Sequence, residues 1–178
     1  NIVMDSILAD LNFAVENIPA DNVSAGRIHK YAAAALKARI CLWEGTRRKY
    51  FNVEGSEKYL QEALKATDLI MDSKKFSLFT TGNPKTDYYD LFIQQELNSN
   101  PESILGRRYL QSILMNGISR TLGESGTGYS KDFVQNYLCI DGLPTALSPQ
   151  YKGEDTPENE FANRDPRAQQ TIATKGFV

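Results

Sequence analysis

"GRIHKYAAAALKARICLWEG", residues 26–45, decides the fold class. Tyr31, Ala35, Ala38 and Leu42 make one apolar line, and Ile28, Ala32, Leu36, Ile40 and Trp43 make a second. A helical period with two apolar sides marks a helix sandwiched between neighbours. The small residues Ala32 to Ala35 let a partner backbone come close. The spacing predicts a helix over 26–44, ended by Gly45 as a left-handed C′ residue. Arg47, Arg48 and Lys49 then fall in a solvated loop between helices.

Working outward, residues 3–18 place Val3, Ile7, Leu8, Leu11, Ala14, Val15 and Ile18 on one stripe, and Pro19 stops that helix. A third helix opens at Ser56 as N-cap, with Glu57 in its first turn. It carries Tyr59, Leu60, Ala63, Leu64, Ala66, Ile70 and Met71, and ends near Lys74 and Lys75. Tyr31, Trp43 and Tyr59, all at helical spacing, are assigned to the core. The second and third helices form a hairpin resembling a tetratricopeptide unit, with a connection over 47–56 longer than a standard repeat has. Such a unit does not bury both faces alone. The first helix covers one side, and further flanking helices are expected outside this chain.

From Phe76 onward the periodicity fades. Residues 87–92 read as a short helical turn, and 103–109 as a short strand with Ile104, Leu105 and Tyr109 as its apolar content. Residues 116–130 hold four glycines and read as a long loop. A helix over 131–138 follows, capped by Ser130, with Phe133, Val134, Tyr137 and Leu138 on its buried side. Residues 141–144 are a turn, and 148–163 are acidic and poor in apolar side chains. The expected fold is mainly α: a tetratricopeptide-like helical hairpin array over 1–78, with a loop-rich portion over 79–178 carrying short strands and short helices.

The totals narrow the function. A net charge of −2 over 178 residues argues against a nucleic-acid binder. No apolar run approaches the ~20 residues that span a bilayer. Cys41 sits at a core-like helical position and reads as a small buried hydrophobe, so Cys41 and Cys139 do not assign a compartment. The chain opens on Asn1-Ile2-Val3-Met4, already inside a helical pattern, and ends on Lys175-Gly176-Phe177-Val178, so it is read as a fragment of a longer protein.

Catalytic constellations do not assemble. His29 is the single histidine and reads as structural, with neither a HExxH nor a CxxC motif beside it, so no metal site is expected. Gly123 to Gly128 imitates a phosphate-loop glycine frame, but Tyr129 stands where lysine is required. Glu154, Asp155, Glu158 and Glu160, and the pair Asp87 and Asp90, lie in polar surroundings that leave carboxyl pKa values ordinary. A glycosidase acid needs an apolar pocket. The acidic loop offers oxygen ligands to calcium, but at no EF-hand spacing. The chain is read as having no catalytic residue, cofactor or metal.

Asn163-Arg164-Asp165-Pro166-Arg167 admits two readings. One is a charged clamp for a ligand. The other is a turn stapled by its own side chains, with Asp165 as N-cap, Pro166 at the first helical position, and the arginines on nearby carboxylates or carbonyls. The stapled turn accounts for every residue without a substrate and is the reading adopted.

Six blocks, "GRIHKYAAAALKARICLWEG", "YLQEALKATDLIMDSKKFSLF", "DYYDLF", "NSNPESIL", "YLCIDG" and "NRDPR", occur in the order and approximate spacing of the SusD/RagB family, which the chain resembles over nearly its whole length. The resemblance implies an outer-membrane lipoprotein of the Bacteroidetes type that captures glycans or other nutrients at the cell surface, without cleaving them, for a TonB-dependent, SusC-like transporter. The chain departs from that pattern in lacking the lipoprotein signal, the first helices and the C-terminal portion, as a central fragment would. The resemblance makes the helical half the scaffold that docks the transporter and the loop-rich half part of the ligand face. Sugars stack their C–H faces on aromatic rings and take hydrogen bonds from amides and guanidinium groups. Tyr109, beside Arg107 and Arg108, and Tyr129, in the glycine-rich loop, are therefore the candidate ligand contacts, with Arg107 as a polar partner. Two other readings stay open: a tetratricopeptide-type adaptor for a peptide or protein, and a glycoside hydrolase.

Overall fold

The computed structural model describes residues 2–20, 26–110, 112–124, 126 and 128–173. The fold is mainly helical, with eight helices and no strand among the described residues. It divides into two compact units, Asn1–Phe79 with Glu96–Arg108, and Thr80–Gln95 with Tyr109–Val178.

The first unit holds α1 (Ile2–Asn17), α2 (Lys30–Tyr50) and α3 (Ser56–Asp72). Leu8 of α1, Cys41 of α2, and Tyr59 and Ala63 of α3 form its core, with Met4 packed against them. Cys41 is a free, buried thiol, and burial pushes its pKa up. Helix α2 starts later than residue 26 because His29 caps it: the backbone there is extended, and Nδ1 accepts from the Ala32 N–H at 3.4 Å. The opposite ring nitrogen, Nε2, donates to the Ile104 carbonyl at 2.9 Å, which ties residues 96–108 to this unit. His29 is buried and stacks on Phe76. It is a structural residue.

Gly45 does not end α2. It lies inside the helix, where an added Cβ would meet Leu60 Cγ at 2.8 Å and the Leu60 backbone nitrogen at 3.1 Å. Its absent side chain lets α3 approach, and Ser56 Oγ donates to the Gly45 carbonyl at 2.9 Å across the same contact. The helix continues to Tyr50, so Arg47, Arg48 and Lys49 are helical and not an inter-helix loop. Arg48 is buried: it donates to Glu44 at 2.7 Å and to the Glu54 carbonyl at 2.6 Å, with its guanidinium 4.7 Å over the Tyr59 ring. Glu44 also accepts two bonds from Arg47, both at 2.9 Å. Lys37–Glu62 at 2.5 Å adds a second α2–α3 ion pair. Asp5 joins α1 to α3 through Lys58 at 2.5 Å and the Tyr59 hydroxyl at 3.1 Å, and these bonds lower its pKa to about 2.

The assignment of Trp43 to the core fails. Trp43 is 62% exposed, with Arg47 over its ring, while Tyr31 and Tyr59 are buried. Helices α2 and α3 leave a groove of about 700 Å³ on their other face, floored by Ala35, Ala38 and Ala63 and walled by Leu42, Leu64 and Met71. Among the described residues of this unit no helix covers it.

The second unit is built from short helices: α4 (Asp87–Phe92), α5 (Ile118–Glu124), α6 (Lys131–Gln135), α7 (Pro157–Phe161) and α8 (Pro166–Thr171). Helix α5 occupies part of what reads as a loop in sequence, and α7 lies in the acidic segment. Too short to gain much from propensity, these helices depend on their caps. Ser130 accepts from Phe133 N–H at 3.2 Å, Thr156 from Asn159 N–H at 3.2 Å, and Asp165 from Arg167 N–H at 2.9 Å. Gln170 of α8 accepts from the Tyr88 and Tyr89 N–H groups at 3.0 and 3.1 Å, closing the start of α4. The short strand expected over 103–109 is irregular backbone, and pairing among the described residues is limited to the bridges Leu110–Leu114 and Cys139–Arg164. Cys139, Phe161, Arg164 and Ala168 are buried here.

Candidate ligand-binding site

The segment 163–167 resolves its two readings residue by residue. Arg164 is buried and donates to three backbone carbonyls: Glu160 at 3.0 Å, Val134 at 2.7 Å and Tyr137 at 2.8 Å. These carbonyls lie near the ends of α6 and α7, that of Val134 also accepting from the Tyr137 N–H at 3.3 Å, and the guanidinium staples the two helices together. Its face lies 5.5 Å over the Tyr151 ring. Arg164 is only 4% exposed. Asp165 caps α8 and Pro166 opens it, as read from sequence.

Arg167 differs. Its side chain is 60% exposed, and its Nε donates to both oxygens of Asp165 at 3.0 Å. The Arg167 guanidinium holds the Asp165 carboxyl below the usual range, and Asp165 pushes Arg167 up, so the pair stays ionised. Together they line a cavity of about 320 Å³ with Phe133, Asn136, Tyr137 and Leu138. Phe133 of α6 lies at the centre of an aromatic series: Tyr129 stacks on it at 4.7 Å with planes 17° apart, and Tyr137 meets it edge-on at 5.7 Å. The Tyr137 hydroxyl donates to Thr171 Oγ1 at 3.0 Å, which holds that ring in place. The side-chain amide of Asn136 makes no hydrogen bond among the described residues.

Of the residues proposed from sequence, Tyr129 stacks on Phe133 and is 56% exposed, without itself lining the cavity. Tyr109 is exposed in the same unit but does not line the cavity. Arg107 is exposed and belongs to the first unit, where its neighbour Arg108 pairs with Glu96. Phe133 and Leu138, assigned to a buried helix side, are open to solvent, and α6 stops at Gln135. Phe133, Asn136, Tyr137, Asp165 and Arg167 are the residues sequence reasoning missed. The visible signal was the spacing of Tyr129, Phe133 and Tyr137 in steps of four, one side of a helical surface.

Glu154 accepts from Lys131 at 2.6 Å, and Asp155 from Asn159 at 3.0 Å. Asp87 does not keep an ordinary pKa: hydrogen bonds from the Thr81 and Thr80 hydroxyls and the Thr81 N–H lower it. Among the described residues no cluster of three His, Cys, Asp or Glu side chains is arranged to hold a metal ion, and no helix is long and apolar enough to cross a membrane. The site therefore holds a stacked aromatic pair, an ion pair and an amide. Comparison with protein-family models, with curated proteins and with solved structures gives no match.

Proposed function

We propose that this chain acts in nutrient capture at a cell surface, in the manner of the SusD/RagB proteins it resembles. It holds an oligo- or polysaccharide without cleaving it and passes it to a TonB-dependent transporter. The observation that carries this reading is the Tyr129–Phe133–Tyr137 aromatic series beside a cavity edged by Asn136, Asp165 and Arg167. Aromatic faces accept the C–H side of a pyranose, and convergent planar polar groups take its hydroxyls. Capture without hydrolysis belongs to the same proposal and follows from the resemblance. In this reading α1, α2 and α3 form the tetratricopeptide-like scaffold towards the transporter, and the outer-membrane, lipid-anchored location belongs to the same proposal.

A second reading, a tetratricopeptide-type adaptor, is favoured by one observation, the alanine-floored apolar groove between α2 and α3. Affinity gel electrophoresis over a panel of polysaccharides separates the two, with reducing ends assayed in each lane. Retardation of the wild type by at least one glycan, no new reducing ends, and loss of retardation in Tyr129→Ala but not Tyr109→Ala are expected. Absence of retardation by every glycan would turn the reading to the adaptor, and new reducing ends would turn it to a hydrolase.

A further inference from the structure

We propose that the first unit carries a site for a small carboxylate, in the cavity between residues 75–79 and 97–103, with Lys75 and the Asn100 side-chain amide as its donors. The site belongs to a different unit from the Tyr129–Phe133–Tyr137 series and does not depend on the capture reading.

Residues 97–103 fold on themselves first. The Asn100 N–H donates to the Leu97 carbonyl at 3.1 Å, and the Ser103 N–H to the Asn100 carbonyl at 3.3 Å. The Glu102 N–H donates to Asn100 Oδ1 at 2.9 Å, an Asx turn across Pro101. Two bonds fasten this turn to the chain that follows α3: the Ser77 N–H donates to the Pro101 carbonyl at 3.1 Å, and the Phe79 N–H to Glu102 Oε2 at 2.8 Å. The cavity left between the two segments is about 340 Å³, within the range of small-molecule sites, and its lining includes Lys75, Phe76, Leu97, Ser99, Asn100 and Ser103.

Asn100 is the residue that points to a ligand. It is 7% exposed and its Oδ1 is taken by Glu102, yet its Nδ2 makes no hydrogen bond among the described residues. Buried amides are ordinarily satisfied. Lys75 Nζ gives one hydrogen bond, to the Ala20 carbonyl at 3.1 Å, and makes no ion pair among the described residues. An ammonium has three N–H groups, so two remain. Glu102 spends its carboxylate on the Phe79 N–H and does not line the cavity. The lining therefore has one positive charge, no carboxylate, and an amide left with donors only. A water satisfies the amide alone. A carboxylate accepts from the amide and from Lys75 together and brings the opposite charge. Phe76, fixed by His29 and Tyr31, and Leu97 give the cavity an apolar side for the body of a small acid. A uronic acid and an acylated amino acid both bring that chemistry.

The test follows the amide NMR signals of the 178-residue chain during titration with sodium glucuronate, N-acetylglycine and glucose. Saturable shifts of the Asn100 side-chain amide, identified by its loss in Asn100→Asp, are expected with the carboxylates and not with glucose. A response to glucuronate alone supports the site and assigns it to uronic acids; a response to N-acetylglycine alone supports it and assigns it to amino acids or peptide C-termini. Lys75→Gln is expected to weaken carboxylate binding roughly tenfold, the effect of losing a charge-assisted hydrogen bond, and Lys75→Arg to retain most of it. Added salt is expected to weaken binding in the wild type.

Equal affinity for glucose and glucuronate would overturn recognition of the carboxylate. Absence of a saturable shift with all three would mean that ordered water alone meets the amide, and would overturn the site. Unchanged affinity in a folded Lys75→Gln would overturn the part given to Lys75. The comparison of glucuronate with glucose uses the wild type only, so it decides even where a variant does not fold.

Discussion

Replacing Arg48 with methionine tests whether the α2–α3 hairpin is held by a buried charge network or by its apolar contacts alone. Methionine keeps most of the side-chain stem and removes the guanidinium. Glu44, 1% exposed, then loses its 2.7 Å partner, the Glu54 carbonyl loses its donor, and the Tyr59 ring loses its cation. Removing one partner of a buried ion pair costs about 3–5 kcal/mol. Arg47 still gives Glu44 two bonds, which places the effect at the lower end, about 3 kcal/mol. For a unit of this size that is a fall in melting temperature of roughly 15 °C. Arg47→Met, on the more exposed partner, is expected to cost less than Arg48→Met. Urea denaturation followed by the fluorescence of Trp43, the single tryptophan, reads α2 directly.

The pH dependence has a definite sign. Hydrogen bonds from Arg47, then Arg48, hold the Glu44 carboxyl below the usual glutamate value. Its contribution is therefore complete above the unfolded value of about 4.3 and is lost as pH falls through the lower folded value. The gap between wild type and Arg48→Met should narrow as pH falls from neutral into that acid range. A cost below about 1 kcal/mol at neutral pH, or a gap that does not change on acidification, would refute a buried network and leave an ordinary surface pair.

Two further substitutions test the other close contacts. Gly45→Val puts a branched side chain where even a Cβ meets Leu60 at 2.8 Å, and should destabilise the hairpin by about 3 kcal/mol, the upper range for overpacking; an unchanged thermal midpoint by circular dichroism would show that α3 simply moves away. Arg164→Lys keeps the charge but loses the planar fork across three carbonyls, and should cost about 2 kcal/mol through unsatisfied buried acceptors. Hydrogen exchange at the Ile140 and Asp165 amides, which bond to the Asn163 and Leu138 carbonyls, should speed up accordingly, and unaltered protection there would show that the staple is dispensable.

What was legible in the sequence is what short-range chemistry decides. Asp165 before Pro166 has one good use, and the structure puts it there, because a cap needs only the two or three residues that follow it. Ser130 capping α6 is the same case. Gly45 was misread because a glycine late in a helix serves equally as a left-handed stop or as a point of close approach. Only Leu60, on the next helix, separates the two. The error carried forward: with the helix ended too early, Arg48 fell in solvent, and its partners Glu54 and Tyr59 across the turn went unseen. Trp43 shows a different limit. Periodicity identifies an apolar face, but the neighbour that would cover it is a property of packing and not of the helix itself.

The candidate site follows the same rule at longer range. Tyr129 was within reach because an aromatic in a glycine-rich segment has no local reason to be buried. Phe133 and Tyr137 were lost because a helical spacing of aromatics ordinarily means core, and α6 is too short to bury a face of its own. Arg167 lines the same cavity as Phe133, and Arg164, three residues before it, ties the α7–α8 corner back to the Val134 and Tyr137 carbonyls. The structural half of that motif is what carries its exposed half to the cavity. A variant that frees Arg164 should therefore disturb the position of Arg167 as well as the stability of the turn.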